Sequence, residues 1–181
     1  MIRAFLAVEL SQELRAELAV VQQELKRRIE PKMKQDRRIS WVRPASIHLT
    51  LKFLGDMDEQ VIDPLLVAVE QTIGSQIPVN VPLERFGAFP RPQSPRALWV
   101  GPSENWERGV EAKRVAEIHG AIEQACESLR FHRETKPFSP HLTLARIKMG
   151  ERQVGVALAK SGVLDRPLSM GSLAVKSIVL M

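Results

Sequence analysis

The apolar positions of this chain fall into two rhythms, one with the spacing of helix faces and one with the alternation of strands. Ile2 to Val8 is a short apolar run and predicts a strand. Leu14, Leu18, Val21, Leu25 and Ile29 then recur three or four apart, which lines one face of a helix. Ser11 precedes that run as its N-cap, Glu13 falls in the first turn, and Pro31 closes it. Ile47 to Phe53 alternates as a strand does, and Leu54-Gly55-Asp56 predicts a turn after it. A second helix is predicted from Asp58 to Gly74 on Val61, Leu65, Val69 and Ile73, with Pro64 tolerated near its start. Pro78 to Phe86 and Arg96 to Val100 read as strands on either side of the turn-rich stretch Phe89 to Pro95. Glu107 to Leu129 predicts a third helix, with Val115, Ile118, Ile122, Cys126 and Leu129 along one side. His141 to Ile147 is a further strand, a short helix surrounds Val154 to Lys160, and Leu168 to Leu180 predicts one or two final strands.

Strands and helices in this mixed order, with paired strands between helices, predict an α+β fold rather than a regularly alternating parallel sheet. A chain of 181 residues, 44% hydrophobic and 26% charged, is one domain's worth of ordinary globular composition, and residues 1–181 are read as one two-lobed domain. The single cysteine, Cys126, excludes an intrachain disulfide and fits a reducing compartment. No apolar stretch approaches the roughly 18 residues of a membrane span, and Arg3 and Glu9 interrupt the N-terminus too early for a signal peptide. A cytoplasmic monomer with no membrane attachment is expected.

Charge changes the picture at one place. Lys26, Arg27, Arg28, Lys32, Lys34, Arg37, Arg38 and Arg43 face only Glu30 and Asp36 in the same stretch, which carries +6 of a chain whose net charge is +5. Such a segment is either a solvated loop or a surface for a polyanion such as nucleic acid.

The candidate chemistry lies in a repeat. Residues 48–51 and 141–144 both read His-Leu-Thr-Leu, 93 positions apart, in a chain with four histidines and four threonines. On a strand, residues two apart share a face, so His48 and Thr50 point one way while Leu49 and Leu51 point into the core. His141 and Thr143 do the same over Leu142 and Leu144. If the two strands are neighbours, two imidazoles and two hydroxyls meet in one cleft. Two imidazoles supply a general base and a general acid suited to neutral pH, and two hydroxyls supply neutral donors for phosphate oxygens. No His-Glu-x-x-His, Cys-x-x-Cys or Gly-x-x-x-x-Gly-Lys pattern accompanies them, so neither a required metal nor a nucleotide cofactor is expected.

These paired motifs resemble the two-histidine phosphoesterase superfamily, and within it the RNA 2′,3′-cyclic phosphodiesterases, also called 2′-5′ RNA ligases. The resemblance rests also on Phe5-Leu6-Ala7-Val8-Glu9-Leu10, on Trp41-Val42-Arg43-Pro44 leading to Lys52-Phe53-Leu54-Gly55, on Phe86-Gly87-Ala88-Phe89-Pro90, on Leu98-Trp99-Val100-Gly101 and on Ala145-Arg146 after the second motif. It implies two antiparallel sheets with outer helices facing a shared cleft, related by a pseudo-two-fold. It also implies metal-independent opening of a terminal RNA 2′,3′-cyclic phosphate to a 2′-phosphate, with a reverse activity on 2′-5′ linkages. His141 is carried over as base, His48 as acid, Thr50 and Thr143 as phosphate donors and Arg146 as a phosphate contact. Arg146 lies five residues after His141, so a regular strand turns it to the opposite face and a bulge or strand end has to re-aim it. Lys52 has the parity of His48 and Thr50 and is a candidate further charge. Arg43 stands in the segment leading to His48, and Trp41 and Phe53 are candidates to stack on a base. His119, His132 and Cys126 read as structural. Two other readings stay open: a non-catalytic RNA-binding module, and a phosphoesterase of small cyclic nucleotides. The basic segment runs straight into His48, which favours a role in guiding an RNA end.

Overall fold

The computed structural model describes residues 1–33, 38–74 and 78–181. Lys34, Asp36 and Arg37 of the basic segment lie outside the described residues. The strands are β1 (Ile2–Val8), β2 (Arg38–Trp41), β3 (Leu49–Met57), β4 (Val79–Pro82), β5 (Arg85–Phe89), β6 (Ala97–Gly101), β7 (Leu142–Met149), β8 (Ser172–Val175) and β9 (Val179–Leu180). The helices are α1 (Gln12–Ile29), α2 (Ile62–Ile73), α3 (Glu104–Glu107), α4 (Val110–Ser128) and α5 (Glu151–Ser161). Ser11 caps α1 by accepting from the Leu14 backbone N–H, and Leu14, Leu18, Leu25 and Ile29 are buried on its inner face. The fold is α+β, and all strand pairs among the described residues are antiparallel.

The main sheet runs β5-β6-β7-β3-β1-β9, with β2 also paired to β7; β4 and β8 form a separate pair. The main sheet has two halves, β9-β1-β3 and β2-β7-β6-β5, joined through one pair, Leu49 opposite Leu142. The two sheets expected from the resemblance are thus two halves of a continuous ladder. The helices cross over between them. α1, which follows β1 in the chain, reaches the β7 half, where its Gln22 bonds the Leu144 carbonyl and its neighbour is α5. α4, which follows β6, backs β3 and packs on α2.

Three expectations are corrected. The predicted turn at Leu54-Gly55-Asp56 is part of β3; Gly55 takes φ +73° there, and the register with β1 slips by one residue, so its freedom serves an irregularity inside a strand. The predicted helix from Glu107 to Leu129 breaks at Gly109, the N-cap of α4, and Pro78 to Phe86 divides into β4 and β5. β2 lies inside the basic segment, whose charges hide the alternation of a strand.

Each motif strand carries a β-bulge at its second leucine. Thr50 and Lys52 lie opposite Ala7 and Leu6, leaving Leu51 as the extra residue. Thr143 and Ala145 lie opposite Trp99 and Leu98, leaving Leu144 extra in the same way. A bulge reverses which residues face outward beyond it.

Candidate active site

The Leu49–Leu142 pair sets the geometry. One step along that antiparallel register aligns His48 with Thr143 and Thr50 with His141, so the two motifs face each other across the junction of the halves. The leucines on the opposite face, Leu49, Leu51, Leu142 and Leu144, are all buried. The four polar residues are half-exposed on one side of the strands.

The two histidines are held alike. His48 Nδ1 lies 3.0 Å from the Ser46 carbonyl and His141 Nδ1 2.7 Å from the Ser139 carbonyl. A carbonyl only accepts, so Nδ1 carries the proton and Nε2 is the reactive nitrogen in each neutral ring. Aromatic rings fix the imidazole planes. Phe5 stacks on His48 with centroids 4.7 Å apart, and Phe89 meets His141 edge-on at 4.9 Å. Trp99 adds a third ring 6.0 Å from His141. A Cβ on Gly87 would come within 2.0 Å of the Trp99 ring, so a glycine is what lets that indole lie across β5.

Both histidines bind protons less readily than a free imidazole. For each, burial is the largest cause, the serine carbonyl opposes it, and the positive charge of Arg146 adds to it. Arg146 thus stands within electrostatic reach of both imidazoles. The Leu144 bulge turns it outward, and it is exposed on β7. Phe53 holds the equivalent position after the Leu51 bulge and is 60% exposed, its ring 6.0 Å from that of Phe5.

Lys52 and Trp41 are elsewhere. The same bulge that exposes Phe53 turns Lys52 into the core, where it is 1% exposed. Its Nζ donates to Glu123 Oε2 at 2.9 Å and to the His132 carbonyl at 2.5 Å. Trp41 pairs with Ala145, whose side chain is buried, and so faces the helices. Its Nε1 donates to Glu30 Oε1 at 3.1 Å, and Lys26 Nζ sits 5.0 Å from its ring centroid. Neither lies in the cleft. Arg43 is exposed at the start of the turn before His48. His119 is buried and stacked on Phe138, and Cys126 is fully buried. The reasoning from sequence missed Phe5, Phe89 and Trp99 as ring supports. Only their strand parity relative to the histidines carries that signal, and parity shows once strands are paired.

Residues 8–99 and 109–178 match the family described as LigT like Phosphoesterase. The RNA 2′,3′-cyclic phosphodiesterase of Methanothermobacter thermautotrophicus is 30% identical over 179 residues, covering 99% of this chain and 88% of the relative. That of Aeropyrum pernix is 36% identical over 144 residues, covering 76% of this chain and 72% of the relative. Among solved structures, TT0787 of Thermus thermophilus superposes with a TM-score of 0.67 at 27% identity, covering 99% of this chain and 87% of that one. Escherichia coli LigT, solved in complex with 3′-AMP, superposes with a TM-score of 0.69 at 21% identity over 98% of this chain and 86% of that one, a likeness of fold. An antiparallel α+β protein with paired His-x-Thr strands is a two-histidine phosphoesterase in architecture. The chain belongs to the LigT-like phosphoesterase family.

Proposed function

We propose that this protein opens a 2′,3′-cyclic phosphate at the 3′ end of RNA and leaves a 2′-phosphate. The observation that carries this reading is the register that aligns each histidine with the other motif's threonine, with Arg146 in reach of both rings. His141 Nε2 takes a proton from water as the water oxygen bonds to phosphorus. His48, protonated, gives its proton to O3′ as the P–O3′ bond breaks. The hydroxyls of Thr50 and Thr143 and the guanidinium of Arg146 donate to the non-bridging oxygens, whose charge grows in the transition state. With a ribose 5′-hydroxyl in place of water, the same groups form a 2′-5′ linkage: His141 takes the hydroxyl proton as its oxygen bonds to the phosphorus of the cyclic phosphate, His48 protonates O3′ as the P–O3′ bond breaks, and the reverse of this step cleaves a 2′-5′ linkage back to the cyclic phosphate. Phe53 offers a stacking face for the terminal base. Arg43 and the basic segment that precedes it attract the RNA backbone. The residues act as a monomer without metal or nucleotide cofactor.

The test is incubation with an RNA ending in 2′,3′-cyclic phosphate and identification of the product isomer. Conversion to the 2′-phosphate, undiminished by chelator and reduced by at least about 100-fold in His48→Ala and in His141→Ala, is the expected result. Full activity in either folded variant, or a 3′-phosphate product, overturns it.

A further inference from the structure

Among the described residues, four polar or charged side chains are buried in the core: Gln22, Lys52, His119 and Glu123. All four gather at the two bulges. Gln22 Nε2 donates to the Leu144 carbonyl at 2.9 Å and to the Val42 carbonyl at 2.7 Å. Val42 N–H donates to the same Leu144 carbonyl at 2.9 Å, so the amide closes a ring of hydrogen bonds joining the bulge of β7 to the end of β2. In the other half, His119 packs near the Leu51 carbonyl, and Lys52, the next residue, is tied to Glu123. In each half the buried polar partner at the bulge comes from the crossed-over helix, Gln22 of α1 at Leu144 and Glu123 of α4 at Lys52, the residue after Leu51.

A glutamine that is 3% exposed calls for an explanation, because an apolar residue of its size fills the same space without a polar group to satisfy. What its amide adds is a fixed register. Without the extra residue at Leu144, β7 alternates regularly, Ala145 faces the cleft and Arg146 faces the core. We infer that Gln22 is a positioning residue that locks the Leu144 bulge and so holds Arg146 toward the two histidines. Gln22 carries no charge and stands on the buried side of β7, so it acts on the reaction only through the strand.

The inference rests on the cyclic-phosphate hydrolysis proposed above and is tested by a double-mutant cycle on that reaction, with the unsubstituted protein alongside. Gln22→Leu is expected to lower kcat/KM by about 100-fold, the scale of a misplacement near 1 Å. In the Arg146→Ala background the same substitution is expected to change kcat/KM by less than about 3-fold, because the group it positions is already gone. A merely structural role gives the full loss in both backgrounds. Wild-type activity in folded Gln22→Leu, or equal losses in the two backgrounds, overturns the inference. If Gln22→Leu does not fold, the unbranched Gln22→Met, assayed at a temperature where it is folded, takes its place. If the unsubstituted protein hydrolyses no cyclic phosphate, the functional reading fails. The positioning role is then read from the Arg146 Nε–H resonance titrated with inorganic phosphate. A shift in the unsubstituted protein that is lost in Gln22→Leu supports positioning, and the same response in both refutes it.

Discussion

Phe53 and Arg146 occupy the same place in the two copies of the repeat, each five positions after its histidine and each turned outward by a bulge at the second leucine of its motif. The framework is two-fold, and these side chains break the symmetry: one half presents an aromatic face and the other a cation. A cyclic nucleotide end needs both, a surface for the base and a charge for the phosphate.

The two substitutions should therefore separate kinetically. Phe53→Ala removes a stacking partner worth about 1–3 kcal/mol, so KM for a cyclic-phosphate RNA rises with kcat nearly unchanged. Arg146→Ala removes charge stabilisation that grows toward the transition state, so kcat falls as well. Steady-state kinetics on one short RNA decides it; equal effects on kcat in the two variants count against the division of labour.

The depressed proton affinity of both histidines fixes the direction of the pH profile. One ring has to be protonated and the other neutral. Each gives up its proton below the usual imidazole value, chiefly because it is buried. The kcat/KM bell is therefore centred below about pH 6.5, and its alkaline limb begins where a free histidine would still be mostly protonated. Arg146→Ala removes a positive neighbour common to both rings and moves the bell to higher pH. A profile centred above neutrality, or one that Arg146→Ala leaves in place, contradicts this account.

Lys52 and Glu123 form a buried pair at 2.9 Å, with side chains only 1% and 3% exposed. Glu123 Oε2 also accepts from the Glu134 N–H at 3.0 Å. Glu123→Gln leaves the lysine charge in the core without its counter-ion and should destabilise the protein by about 3–5 kcal/mol. Lys52→Met combined with Glu123→Gln should cost less than the sum of the single changes, because no uncompensated charge remains. Urea unfolding of the four proteins measures the coupling; strict additivity argues that the pair does not act as one.

Burial pushes the thiol of Cys126 up to about 11, with the nearby Lys52 charge opposing. At neutral pH the side chain is a thiol, and it is fully covered. An alkylating reagent should modify it only as fast as the protein opens. Prompt modification of the native protein would mean that α4 is less firmly seated than its packing indicates.

Much of this is legible in the sequence. The spacing of Leu14, Leu18, Leu25 and Ile29 foretells α1, and the duplicated His-Leu-Thr-Leu foretells two strands with leucines inward. The bulges are not legible, because an extra residue in a ladder leaves no mark in composition or hydropathy. Regular parity consequently assigns Lys52 to the cleft, whereas the bulge sends it into the core and turns Phe53 out. The one trace is the parity of Arg146, which a regular strand turns the wrong way. Gly55 reads as a turn because a glycine beside a polar neighbour usually is one; here it serves an irregularity within β3. Trp41 reads as a base-stacking ring from its position before the first motif, but β2 pairs it with Ala145 and gives its face to α1.

The crossing of α1 and α4 makes the molecule, in effect, a domain-swapped dimer carried on one chain. Neither stretch of sequence that bears a motif contains the helix that backs it. A cut between α2 and β4 would leave one fragment with β3 but without α4, and another with β7 but without α1. Neither fragment should fold alone, and the two should recover their structure when mixed. Duplication of the motif is thus not duplication of a unit: each half of the cleft is built only in the presence of the other.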